Sequence, residues 1–266
     1  MALNNPAFSR IPAFQPGKTT ATAVPTPTAE SLQELYDAPT ATAIDTDRMT
    51  VEDTIVKTAV GFLVLVVGGA VGWIFPALAL PAMIVGFGLA LVNIFKKKPS
   101  AALVLAYAGV EGLFIGAVSS FFESMFSGIV IQAVLGTVAV VGVTLALFAS
   151  GKIRASAKAT KVFLIAMVGY LLFSVLNIVL SMTGVVTNPF GLQGSVTILG
   201  IPLGLILGVL VVIMAAYSLV LDFDFIKQGV ANRVPRAYGW TGAFGIMVTV
   251  VWLYLEILRM FAIARN

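Results

Sequence analysis

Residues 101–122 read AALVLAYAGVEGLFIGAVSSFF, twenty-two residues whose single charge, Glu111, stands at the middle. A helix needs about 20 apolar residues to cross the ~30 Å hydrocarbon core of a bilayer. This stretch therefore reads as a transmembrane helix. Lys96, Lys97 and Lys98 precede it, Glu123 follows it, and six further apolar runs flank it at 55–75, 77–95, 128–150, 162–183, 196–221 and 238–262. The whole chain agrees: 59% of its residues are hydrophobic, 11% are charged, and the mean hydropathy is +1.02. Soluble domains carry about 25% charged residues, too many for this composition. The expected fold is an all-α integral membrane protein, a seven-transmembrane-helix bundle over 55–264. Pro76, between the first two runs, predicts a tight turn and a helical hairpin.

Loop charges predict orientation. Lys96, Lys97 and Lys98 follow the second run; Lys152, Arg154, Lys158 and Lys161 follow the fourth; Lys227, Arg233 and Arg236 follow the sixth. The alternate loops hold no Lys or Arg, only Glu123. Basic loops stay in the cytoplasm, so the N-terminus is expected there, the C-terminus outside, and the protein in the plasma (cytoplasmic) membrane. The net charge of +4 follows from this topology, and nucleic acid is not an expected partner. The expected partner is the lipid bilayer.

Residues 1–54 differ from the rest. They are rich in Pro, Thr and Ala, as in TTATAVPTPT at 19–28, and are expected to form a disordered cytoplasmic tail. A basic start followed by a continuous apolar core is missing, so no signal peptide is expected. Ser31 and Glu34 have the spacing of a capping box and predict a short helix near 31–36. Trp73 and Trp240 fit interfacial belts, and Lys57 is expected to snorkel toward water. Gly68 and Gly72, Gly112 and Gly116, and Gly200, Gly204 and Gly208 recur every fourth residue, a pattern that lets helix backbones approach closely.

The chain has no Cys and no His. That excludes disulfides, thiolate or imidazole metal sites, and Ser–His or Cys–His nucleophiles. A lysine in the last helix, needed for a retinal Schiff base, is missing too, and Asp222 follows Leu-Val-Leu rather than the Gly-x-Gly of an aspartyl intramembrane protease. No enzyme activity and no resident cofactor are expected. Proton sensing would fall to carboxylates, and a bound metal would be a hard cation such as calcium held by oxygen.

Ionisable groups inside a bilayer are costly and mark function or a specific partner. Glu111 lies near the midplane, either as a hydrogen-bonded structural acid or on an ion or proton path. Asp222 and Asp224 close the sixth run at LDFDFI. Acids oppose the macrodipole at a helix C-terminus, so capping does not account for them. Two residues apart, they point about 200° apart on a helix. Either one faces the bundle interior, or both are solvated beside Lys227 or Arg233. Glu256 and Arg259 are three apart and can pair on one face.

The segments LDFDFI at 221–226, LYLEILRMF at 253–261 and EGLFIG at 111–116 together resemble the transmembrane Bax inhibitor motif family, bacterial branch, over about residues 55–264. The resemblance implies a bundle with the seventh helix central and enclosed by the other six. It also implies a pH-sensitive passive calcium leak, with calcium as the transported species, controlled by a pair of acids on helices six and seven. Asp222 matches the helix-six aspartate through its Leu-Asp-Phe context. Reading Tyr254-Leu255-Glu256 as the family's Tyr-Leu-Asp assigns Glu256 as the partner, which makes Asp222 and Glu256 the candidate calcium ligands. Aligning the terminal Leu-Arg apolar run instead places Thr249 there. The ion-gating candidates are thus Asp222, Glu256, Glu111, Asp224 and Thr249. Some bacterial relatives imply another role, a non-conducting regulator that binds other membrane proteins such as a membrane protease.

Overall fold

The computed structural model describes residues 28–37 and 46–266. Most of the expected tail, 1–27 and 38–45, lies outside the described residues. A short helix, α1 (Ala29–Asp37), starts two residues ahead of the expected cap: the Thr28 carbonyl accepts the Leu32 N–H at 3.0 Å, and Ser31 sits inside the helix.

Among the described residues, seven helices are long and apolar enough to cross a membrane. The first, α2 (Val51–Ile74), begins four residues before the apolar run because Thr50 caps it, its Oγ1 accepting the Asp53 N–H at 3.1 Å. Glu52 and Asp53 in the first turn add favourable charge at the positive end of the helix dipole. The ordered chain also reaches further back than expected. Met49 is buried with its thioether against Gly229, its N–H donates to the Val234 carbonyl at 2.9 Å, and the Arg236 N–H donates to the Asp47 carbonyl at 2.8 Å. Residues 47–54 are therefore part of the bundle rather than of a tail.

Lys57 does not snorkel. It is buried, donating to Asp53 Oδ2 and, at 2.6 Å, to the Arg236 carbonyl, and its ammonium stands 5.7 Å from the Trp240 ring centre. Arg236 closes the cluster with two hydrogen bonds to Asp53 Oδ1, at 2.8 and 2.6 Å. A lysine paired this closely satisfies its charge inside the protein and needs no path to water.

Pro76–Leu78 forms a single tight turn into α3 (Ala79–Phe95). The two helices do not pack as a hairpin; each lies against α4 (Ala101–Met125) instead. Glycine explains the α2–α4 contact. Gly68 and Gly72 of α2 and Gly112 and Gly116 of α4 meet backbone to backbone, and a Cβ on any of the four would collide with a facing carbonyl oxygen.

Glu123, near the end of α4, accepts the Gly128 and Val130 N–H groups at 2.5 and 3.0 Å and so holds the start of α5 (Ile129–Ala149). The next helix, α6 (Ala157–Met182), begins five residues before the apolar run because Ser156 caps it, accepting the Ala159 N–H at 3.2 Å.

The sixth run departs most from expectation. After a one-turn helix, α7 (Leu192–Ser195), the chain forms a two-residue hairpin, β1 (Thr197–Ile198) with β2 (Ile201–Pro202). Leu199 and Gly200 take positive φ in its turn, at 53° and 80°, the geometry of a tight β-hairpin. Gly200 thus serves a turn and not a helix stripe. The helix proper, α8 (Leu203–Ala231), starts seven residues later than the apolar run and extends ten residues past its end.

The last helix, α9 (Gly239–Arg265), is the most buried of the seven and packs against α2, α4, α5 and α8. One core cluster joins it to α5 and α8 through Ile129, Leu219, Leu253 and Leu258; another joins it to α4 through Tyr107, Phe244 and Met247. By contrast, α6 contains no buried residue and lies at the edge of the bundle.

Candidate functional site

Asp222 does not end its helix. It lies nine residues before the last residue of α8, about 13 Å into the helix. At that level α8 and α9 are in contact. The carboxylate enters a notch on α9 made by two residues one turn apart. Thr249 supplies the donor, its Oγ1 donating to Asp222 Oδ2 at 2.7 Å. Gly245 supplies the space: a Cβ there would stand 2.8 Å from Asp222 Oδ1. Ser218, one turn before Asp222 on α8, places its Oγ 3.2 Å from Thr249 Oγ1. One carboxylate and two hydroxyls thus converge across the α8–α9 contact, and Thr249 is buried.

Asp224 takes no part in this cluster. It accepts a hydrogen bond from Gln228 Nε2 on its own helix at 2.5 Å. Neither aspartate has a cationic partner among the described residues. Lys227 and Arg233 therefore do not neutralise them.

Glu256 belongs to a separate cluster. Its buried carboxylate pairs with Arg259 and accepts a hydrogen bond from Tyr170 Oη of α6 at 3.1 Å, while Arg259 donates to the same Tyr170 oxygen at 2.6 Å. Glu256 is seven residues beyond Thr249, which is two helical turns, or about 10 Å along α9. Asp222 and Glu256 therefore do not form a two-acid ligand set; the residue facing Asp222 is Thr249. Calcium takes six to eight oxygens, and no group of three or more acidic side chains that could hold a metal occurs among the described residues.

Glu111 projects from α4 toward α3, where a Cβ on Gly86 would come within 2.9 Å of its Oε2. The side chain is half-buried, with no hydrogen-bond or ion-pair partner found for it among the described residues. One turn earlier, Tyr107 stacks edge-on against Phe244 of α9, ring centres 5.0 Å apart, so α4 is anchored to the same helix that carries Thr249.

Sequence reasoning missed Ser218, Gly245 and Tyr170. Two of them carried a signal, since Ser218 precedes Asp222, and Gly245 precedes Thr249, by four residues, a spacing that places each pair on one helix face. Tyr170 carried none.

Two comparisons bear on this arrangement. A family model described as Bax inhibitor 1 like matches residues 5–266. No curated protein matches the chain significantly.

Proposed function

Since the chain belongs to the Bax inhibitor 1 like family of multi-pass membrane proteins, we propose that it is a passive, pH-sensitive cation leak controlled by protonation of Asp222. Calcium is the cargo that the family resemblance implies. The observation that carries this reading is the company Asp222 keeps: a hydroxyl at 2.7 Å and, among the described residues, no counter-charge. A carboxylate within a membrane-spanning helix is stabilised by a partner cation, a proton or a passing ion. Glu256 has its partner cation in Arg259, whereas Asp222 is left to the proton and the ion. Glu111 likewise has no cationic partner among the described residues, but it faces α3 rather than the Asp222 notch.

Purified protein in liposomes loaded with a calcium indicator is expected to admit added calcium faster than protein-free liposomes do. Equal rates would reject conduction and leave the regulator of other membrane proteins as the reading.

The proposed location is the cytoplasmic membrane, with the N-terminus in the cytoplasm and the C-terminus outside, on the strength of the basic loops. Ser127, Ser156 and Ala231 are all exposed, and the chain has no other cysteine to interfere. In intact cells, cysteines at Ser156 and Ala231 are expected to resist an impermeant thiol reagent and one at Ser127 to react. Labelling at Ser156 but not at Ser127 would invert the orientation.

A further inference from the structure

From Gly128 to Leu221 the chain contains no Asp or Glu. Four cations fall in this interval, all between α5 and the first turns of α6: Lys152, Arg154, Lys158 and Lys161. All four are exposed, and none has a carboxylate partner among the described residues. Two apolar grooves open beside them. One, of about 480 Å³, runs between α5 and α8 along Val143, Leu147 and Ile213, with Ile153 at its mouth. The other, of about 500 Å³, runs between α6 and α8 along Val162, Ala166 and Leu210, with Ser156 and Lys158 at its mouth. Tyr217 of α8 lines both grooves, hydrogen-bonded to Thr160 at 2.9 Å and ring-packed on Phe163.

We propose that this corner is a binding site for an anionic phospholipid. Each groove takes one acyl chain, Tyr217 separates the two chains, and the four cations hold the headgroup phosphate. The match is one of charge and shape together. Two neighbouring apolar grooves suit a diacyl molecule, and a cluster of cations with no counterion among the described residues suits an anionic head. A zwitterionic lipid would fill the grooves and present the same phosphate, but its own ammonium beside that phosphate cancels the net charge that the four cations would otherwise offset. The bound lipid also fills the space beside α6, which has no buried residue of its own.

The test uses the full-length protein in detergent, with retained lipid read by native mass spectrometry after exposure to phosphatidylglycerol or phosphatidylcholine. Phosphatidylglycerol is expected to be retained preferentially. Replacing Lys152, Arg154, Lys158 and Lys161 together by serine is expected to weaken that retention by at least about tenfold. Replacing Lys96, Lys97 and Lys98 by serine serves as the control for general attraction to anions and is expected to leave retention near the parent value. Ala166→Phe, which fills the second groove while keeping every cation, is expected to reduce retention of both lipids. Equal loss in the two serine variants, equal retention of the two lipids by the parent, or parent-like retention by Ala166→Phe would each overturn the proposal. A melting shift on adding phosphatidylglycerol, present in the parent and lost in the four-serine variant, supplies a second readout that does not depend on transfer to the gas phase.

Discussion

Gly116→Val is expected to leave no stable bundle. A Cβ at Gly116 would overlap the Gly69 carbonyl oxygen and come within 2.7 and 2.8 Å of the carbonyl carbon and Cα behind it. Those atoms are helix backbone and cannot turn aside as a side chain would. Relief requires α2 and α4 to separate along their whole contact, which Gly68, Gly72 and Gly112 hold equally close. Overpacking a core that can adjust costs about 1–3 kcal/mol; moving two backbones apart is expected to exceed about 3 kcal/mol, a large part of a typical stability. The thermal melt of the detergent-solubilised protein reads the effect. Gly88→Ala is the control, because a Cβ there has no atom within 4 Å; it is expected to melt like the parent or slightly higher, as alanine favours a helix over glycine. A parent-like melt for Gly116→Val would refute the α2–α4 contact.

A second large loss is expected for Glu256→Ala. Glu256 is 4% exposed and its partner Arg259 only 27%, so removing the acid strands a guanidinium in a poorly solvated place. Arg259 Nε already has no hydrogen-bond partner among the described residues, and Tyr170 would lose the carboxylate that it donates to. Breaking a buried pair from one side costs about 3–5 kcal/mol. Because most of that is the stranded charge, Glu256→Ala with Arg259→Met is expected to recover much of the lost melting temperature. If the double variant melts no higher than Glu256→Ala, the pair is not the source of the loss.

Hydropathy made the seven helices legible because a membrane helix must satisfy its own backbone hydrogen bonds, so spans appear as long apolar runs. The same signal hid the hairpin before α8. Val196, Ile198, Leu199 and Ile201 are as apolar as a helix, and only Gly200 and Pro202 hint at the turn. It also ended α8 too early, since Asp222 begins a polar stretch that stays helical to Ala231. Lys57 could have been paired with Asp53, four residues before it, but its other acceptor, the Arg236 carbonyl, is 179 residues away. The choice between Thr249 and Glu256 shows the limit most clearly. Local motifs favour the acid, whereas the contact depends on the register of α8 against α9, set by packing between residues distant in sequence. The glycine stripes were readable as close-approach faces, but which stripe meets which was not.

Asp222 as the proton-controlled element is tested most directly by calcium entry into indicator-loaded liposomes at pH values between about 5 and 8, the range in which a switch near neutral pH must act. Parent, Asp222→Asn and Asp224→Asn are compared at equal protein density. Asn keeps the size of the side chain and can still accept from Thr249, but it cannot take up or release a proton. Among the described residues Asp224 hydrogen-bonds only within its own helix, so its variant controls for loss of an acid near the site. The account predicts that entry varies with pH for the parent and for Asp224→Asn and is flat for Asp222→Asn; a parent-like pH profile in Asp222→Asn would contradict it.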